Sequence, residues 1–207
     1  MCSSVSVYDL GLFPLDLVLI PGERVPLHIF EPRYRELIGE CLDTETEFGL
    51  VYSQGVRLSS IGTRARVEEV LQRFPDGRFN VVVAGTTRFL LVERTSGRSF
   101  LTARVGEVED RDDPPSDDEA AACLQAFART LLGEEPADLD PVHDGMAFEI
   151  AGRADLPNPL KQELLEMRSE RQRVLRLTEA LNGPAGDDLR TREIERRAAG
   201  NGHVGPR

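Results

Sequence analysis

Tryptophan is absent from this chain of 207 residues, cysteine and histidine occur three times each, and lysine occurs once. Each shortage excludes a class of function. Cys2, Cys41 and Cys123 lie far apart with no C-x-x-C pair, which fits neither a disulfide framework nor a thiolate zinc site. They read as free, buried thiols. His28, His143 and His203 are scattered, no H-E-x-x-H occurs, and no metal site is predicted. The only lysine, Lys161, does not sit in a G-x-x-x-x-G-K-[ST] loop, so that route to ATP hydrolysis is excluded. A serine–lysine dyad would have to use Lys161, which has no serine within two helical turns and reads as part of a solvated helix face. There is no G-x-S-x-G elbow either. No catalytic residue and no cofactor is predicted.

Long apolar runs are also missing: nothing approaches the ~18 consecutive apolar residues of a membrane span. Met1-Cys2-Ser3-Ser4 lacks the basic stretch and apolar run of a secretory signal, so the expectation is a cytoplasmic protein without a membrane partner.

Negative charge, by contrast, is plentiful. The net charge is −11, unevenly spread: residues 1–110 carry 16 acidic and 12 basic side chains, residues 111–140 carry 9 and 2, and the remainder carries 11 of each. Such a balance argues against nucleic acid as a partner unless arginines gather on one face. Arg64, Arg66, Arg73, Arg78 and Arg88 are the set that would have to do so.

Residues 8–110 read as a β-rich lobe. In "FPLDLVLIPGERVPLHIFEPRYRELI" (residues 13–38) an apolar run is cut by Pro21-Gly22 and Pro26. Residues 15–20 are a strand candidate ended by a turn pair, and 25–30 a second extended piece, because Pro26 pushes Val25 toward β geometry. Pro32 suits the first position of a helix, Glu31 complements the helix dipole, and Tyr34, Leu37, Ile38, Cys41 and Leu42 recur at helical spacing. Phe30-Glu31-Pro32 is therefore a strand-to-helix corner.

Residues 48–53 form a third strand. Residues 64–84 form a hairpin turned at Pro75-Asp76-Gly77, in which Phe79, Val81 and Val83 alternate with Asn80, Val82 and Ala84. Gly85-Thr86-Thr87 is expected to turn the chain into a further strand at 88–94, and 100–109 supplies the last. Six or seven short strands at this spacing suggest a barrel or a strongly curled sheet.

After an acidic, proline-bearing connector at 110–116 the pattern becomes helical. Ser116 and Glu119 make a capping box, and the helix they open buries Leu124, Phe127, Ala128 and Leu131 and stops at Gly133. Further helices are expected from Asp140-Pro141, from Asn158-Pro159, and from a second capping box, Ser169 with Gln172, carrying Val174, Leu177 and Leu181. Residues 183–207 are glycine-rich and charge-mixed with few apolar anchors, which predicts a disordered tail. The domain reading is thus 1–110 β-rich, 111–182 helical, and 183–207 tail.

Alternation across "PLHIFE" places His28 and Phe30 on one side of their strand and Leu27 and Ile29 on the other. His28 is either a donor at a groove rim or a tie that pins the corner. Tyr34 reads as core-facing, and Arg33 as the partner of Glu36 or Asp16.

Four segments together resemble the N-terminal, substrate-binding domain of the Lon protease family, in its stand-alone bacterial form. They are "LFPLDLVLIPGERVPLHIFEPRYRELI" (12–38), "IGTRARVEEVLQRFPDGRFNVVVAGTTRFLLVE" (61–93) with its pair Gly85 and Arg88, "LTARVGEVED" (101–110), and "DLPNPLKQELLEMRSERQRVLRL" (155–177). The resemblance runs over about residues 10–181. It implies an α+β fold: a PUA-like curled sheet or barrel with one inserted helix, followed by a small C-terminal helical bundle. It also implies a non-catalytic module that binds unfolded or extended polypeptide, acting as an adaptor or regulator in protein quality control, with full-length Lon as a possible further partner. A sheet edge would supply sequence-tolerant backbone bonding and apolar pockets the selectivity. The candidate polypeptide-binding residues are His28, Phe30, Arg33, Tyr34 and Arg88. The alternative is an RNA-binding PUA-like module.

Overall fold

The structure, a computed structural model, describes residues 7–131 and 145–200. Its strands are β1 (Val7–Leu15), β2 (Arg24–Ile29), β3 (Phe48–Gln54), β4 (Arg57–Leu58), β5 (Ile61–Arg73), β6 (Phe79–Thr95) and β7 (Leu101–Glu107). Its helices are α1 (Pro32–Thr44), α2 (Asp117–Thr130), α3 (Met146–Arg153), α4 (Asn158–Glu166), α5 (Glu170–Asn182) and α6 (Pro184–Gly200). They fall into two compact units, one comprising the chain up to Glu109 together with Asn158–Glu166, the other Asp110–Pro157 with the chain from Met167 onward.

In the first unit five strands close a circuit. β1 pairs antiparallel with β7, β7 with β6, β6 with β5 and β5 with β3, and β3 returns to β1 in parallel. Closure removes the free edges that an open sheet would expose. β3 is packed on both faces, with Phe48 and Leu50 in one apolar cluster and Val51 in another, so Phe48 to Tyr52 are buried without the alternation of a half-exposed strand. Leu12, Val51, Phe89, Ala103 and Val105 build one apolar cluster. Phe13, Ile29, Phe48, Leu50, Val81 and Val83 build a second with Tyr34, Leu37 and Ile38 of α1. Each such side chain, fully buried, is worth about 1.5–3 kcal/mol.

Two strand boundaries differ from the sequence expectation. The first strand lies earlier, over Val7–Leu15, and the apolar run that follows it is irregular although Val18, Leu19 and Ile20 are buried. Its backbone is satisfied by side chains and a turn instead of a ladder. Val18 N donates to Asn158 Oδ1 (3.2 Å), Thr63 Oγ1 to Leu19 O (2.6 Å), Ile20 N to Glu23 Oε2 (2.9 Å), and Glu23 N to Ile20 O (3.0 Å). Second, Gly85-Thr86-Thr87 is no turn, because β6 runs through it as one strand of 17 residues. Glycine is required at 85 for a different reason: a Cβ there would stand 2.4 Å from Ile20 O.

The corner at Pro32 forms as read, with Glu31 as the N-cap residue and Pro32 opening α1. The Pro-Asp-Gly turn forms too, with Gly77 at φ +83° and its N–H bonded to Phe74 O (2.9 Å).

α4 belongs to the first unit, where the sequence reading grouped it with the helices. Five polar ties explain why. Besides Asn158 Oδ1 on Val18, Asn158 Nδ2 donates to Asp16 O (3.0 Å) and Gln162 Nε2 to Ile61 O (3.1 Å). Arg88 Nη1 donates to Leu165 O (2.9 Å), a last-turn carbonyl with no partner inside its helix. Lys161 Nζ meets Glu23 Oε1 at 2.5 Å, with the two side chains 7% and 10% exposed. The one lysine is thus buried and paired, not part of a solvated face.

In the second unit the Ser116–Glu119 capping box opens α2 with both reciprocal bonds. The buried stripe of α2 is Ala120, Cys123, Ala126, Phe127 and Thr130, rotated from the expected one, with Leu124 and Ala128 only half-buried. Ser169 caps α5 by accepting from Gln172 N (3.0 Å), while its hydroxyl donates to Asp113 Oδ2 (2.6 Å). Arg171 grips Glu119 through Nε and Nη2 at 2.8–3.0 Å, tying α5 to α2. Buried Arg173 meets Asp110 and Glu170 and lies 4.4 Å from the Phe148 ring.

The expected stop at Gly133 and the start at Asp140-Pro141 fall outside the described residues. α6 occupies Pro184–Gly200, where composition predicts a disordered tail. Glu193 is held by Arg196 and Arg197, and Arg197 Nη2 reaches Leu131 O (3.0 Å), so polar ties replace the missing apolar anchors.

Candidate functional site

The surface feature that stands out in the first unit is the corner where β2 leads into α1. β2 pairs antiparallel with the first half of β6, from Arg24↔Ala84 to Ile29↔Phe79. β6 in turn pairs with β5, bringing Gln72 opposite Asn80. His28, Asn80 and Gln72 therefore lie in one cross-strand row. Asn80 Nδ2 donates to Gln72 Oε1 (3.3 Å), leaving Asn80 Oδ1 to accept from His28 Nδ1 (2.6 Å). His28 Nε2 then faces outward without a partner among the described residues.

Two phenylalanines flank this imidazole. The Phe30 ring is stacked at 5.9 Å (21° between planes), and the Phe74 ring meets it edge-on at 6.0 Å (84°). Phe30 is 59% exposed, unusual for so large an apolar side chain. Arg78 lies 5.0 Å from the Phe74 ring centre and pairs with Asp76 (2.7 Å). Arg35 Nη1 donates to Asp76 O, tying the hairpin tip to α1.

Of the five predicted residues, His28, Phe30 and Arg33 are exposed at this corner, and two are not. Arg33 pairs with Glu31 (2.7 Å) rather than with Glu36 or Asp16, because the first helical turn folds it back across the cap. Tyr34 is buried and stacked on Phe13 at 4.1 Å, and burial pushes its phenol above the usual range. It supports the corner from inside. Arg88 is buried under α4 and donates to Leu165 O, so it is a structural tie and offers nothing to a ligand at this corner. The sequence reading missed Phe74, Asn80 and Gln72. Phe74 directly precedes the Pro75-Asp76-Gly77 turn, but only the β2–β6 register brings it to His28.

The cysteines described, Cys41 and Cys123, are free and buried, and burial raises both thiols. They are poor nucleophiles. Among the described residues no group of three or more His, Cys, Asp or Glu could hold a metal ion, and no helix is long and apolar enough to cross a membrane.

These features define an α+β domain built on a closed five-stranded circuit, with an aromatic corner on its surface. The same fold is found in the Lon N-terminal domain protein from Xanthomonas campestris, 26% identical with a TM-score of 0.66, covering 83% of this chain and 98% of that one. It is found again in the N-terminal domain of Mycobacterium avium complex Lon protease, 21% identical with a TM-score of 0.66, covering 86% of this chain and all of that one. Among curated proteins the chain is 30% identical over 193 residues to a Lon protease of Anaeromyxobacter dehalogenans and 29% identical over 193 residues to Lon protease 2 of Myxococcus xanthus. Each match covers 84% of this chain, and the chain spans only 23% of either relative. The model of the ATP-dependent protease La (LON) substrate-binding domain matches residues 9–183. The chain belongs to the Lon substrate-binding domain family.

Proposed function

We propose that this chain is a non-catalytic polypeptide-binding module that captures unfolded or extended segments at the β2–α1 corner. The observation that carries the reading is the aromatic cluster of Phe30, His28 and Phe74, in which a largely exposed phenylalanine is held in place by its neighbours. Ordered aromatics on a surface lose little conformational entropy on binding and serve as anchors for apolar side chains. Arg33 contributes a cationic rim, while Tyr34 and Arg88 hold the scaffold. Membership of a substrate-binding family supports the reading, and the closed circuit is in keeping with a PUA-like barrel. In the cell the module acts as an adaptor or regulator in cytoplasmic protein quality control, with a full-length Lon protease as a partner.

The test is fluorescence anisotropy of the purified chain with a labelled, permanently unfolded polypeptide at two salt concentrations, with a folded protein and a short RNA as competitors. Saturable binding displaced by unfolded chains, insensitive to RNA and only weakly dependent on salt, is the expected result. Binding no tighter than millimolar, about 4 kcal/mol, refutes the role for the isolated chain. RNA binding with a steep salt dependence would reassign the module to nucleic acid.

A further inference from the structure

The register of β2 determines which of its backbone groups are free. Gly85 N donates to Glu23 O at 2.9 Å, so the backbone of residue 23 faces β6. Along an antiparallel strand, alternate residues turn their N–H and C=O to the same side. Val25, Leu27 and Ile29 therefore bond β6, and Arg24, Pro26 and His28 face the other way. Pro26 agrees with this assignment independently, since a proline facing β6 would break the ladder and one facing outward does not. Among the described residues β2 pairs only with β6, and outside that ladder no described group bonds a backbone atom of residues 24–29.

Resting on the polypeptide-binding reading above, we infer that the outer edge of β2 receives an extended polypeptide as an added strand. The N–H groups of Arg24 and His28 are its donors, and the carbonyls of Arg24, Pro26 and His28 its acceptors. Alternate side chains of the added strand lie beside half-buried Val25 and Leu27 on one face, and beside Pro26 and His28, next to exposed Phe30, on the other. The edge thus favours a segment with apolar residues at every second position and is indifferent to sequence elsewhere. A second copy of this chain is a poorer occupant. A twofold β2–β2 pairing centred on Pro26 would oppose two prolines and lose both central bonds.

The experiment is an N-methyl scan of a labelled peptide of alternating valine and threonine, read by anisotropy against the native chain. N-methylation deletes one peptide donor at a time without touching the protein. Binding should fall about five- to tenfold at every second position and little between them. In parallel, His28→Pro should bind about five- to tenfold more weakly than His28→Ala, since only the former removes an outward donor, while circular dichroism shows both folded. A flat methylation profile, or equal affinities of the two variants, overturns the strand-addition mode and leaves the aromatic corner as the binding element. Self-association of the chain that His28→Pro abolishes overturns it as well, by assigning the edge to a second copy. Failure of the native chain to bind any unfolded polypeptide removes the functional reading itself, and this inference with it.

Discussion

Replacing Lys161 by methionine tests the least expected contact in the structure. Its ammonium lies 2.5 Å from Glu23 Oε1, with both side chains about nine-tenths buried. Methionine fills much of the same volume but leaves the Glu23 carboxylate buried with only the Ile20 N–H (2.9 Å) still bonded. Removing one partner of a buried pair costs about 3–5 kcal/mol, and the surviving bond places the expected value near the lower end, about 3 kcal/mol. The chain has no tryptophan, and its three tyrosines, Tyr8, Tyr34 and Tyr52, all lie in the first unit, so tyrosine emission during urea unfolding reports on that unit alone. A loss of about 3 kcal/mol lowers the urea midpoint by about 1–3 M at ordinary denaturant sensitivity. Glu23→Gln should cost a similar amount. The double variant should cost less than the two singles added, because it leaves no orphaned charge. A loss below about 1 kcal/mol for Lys161→Met, or strict additivity in the double variant, would refute the argument and return the lysine to solvent.

Three further outcomes are expected. Gly85→Ala should destabilise the first unit by about 2 kcal/mol or more, since its methyl group would lie 2.4 Å from Ile20 O and backbone must move; an unchanged urea midpoint would contradict this. Phe30→Ser should weaken binding of unfolded polypeptide about tenfold while changing stability by no more than about 0.5 kcal/mol, checked by anisotropy and urea unfolding on the same sample. Glu119 is held at a pKa of about 2, against an ordinary 4.5, first by the Arg171 hydrogen bonds and then by the Ser116 amide. A depressed carboxyl contributes stability above its unfolded value that is lost as the pH falls through its folded one. The stability advantage over Glu119→Gln in the second unit should therefore be full above about pH 4.5 and gone by about pH 2, followed by helix circular dichroism.

Much of the fold is legible residue by residue. Phe30-Glu31-Pro32 reads as a strand-to-helix corner because proline's fixed φ and missing N–H suit only a few positions, and α1 begins there. Pro75-Asp76-Gly77 and the Ser116–Glu119 box carry their geometry in the same local way. The candidate site was legible only in part. His28 and Phe30 share one side of their strand, as alternation assigns them, and the structure exposes that side, but the same pattern cannot show that Phe74, 46 positions beyond His28, closes against that ring. The mistaken strand at 15–20 has a similar cause: an apolar run announces burial, and whether its backbone is paired by a ladder or by side chains depends on Asn158, Thr63 and Glu23 arriving from elsewhere.

The sequence by itself determined the Pro32 corner, the Pro75-Asp76-Gly77 turn, the Ser116 and Ser169 caps, the apolar face of α1 and the family, because turns, caps and short periodic runs depend on near neighbours and the family pattern is written in the order of residues. Tertiary structure alone decided that Lys161 is buried against Glu23, 138 positions away, that α4 folds with the sheet, that Arg88 is a tie beneath α4, and that β2 keeps an open edge. Those outcomes depend on strand register and helix docking, where the energies of distant pairs are settled together and no short window of residues contains them.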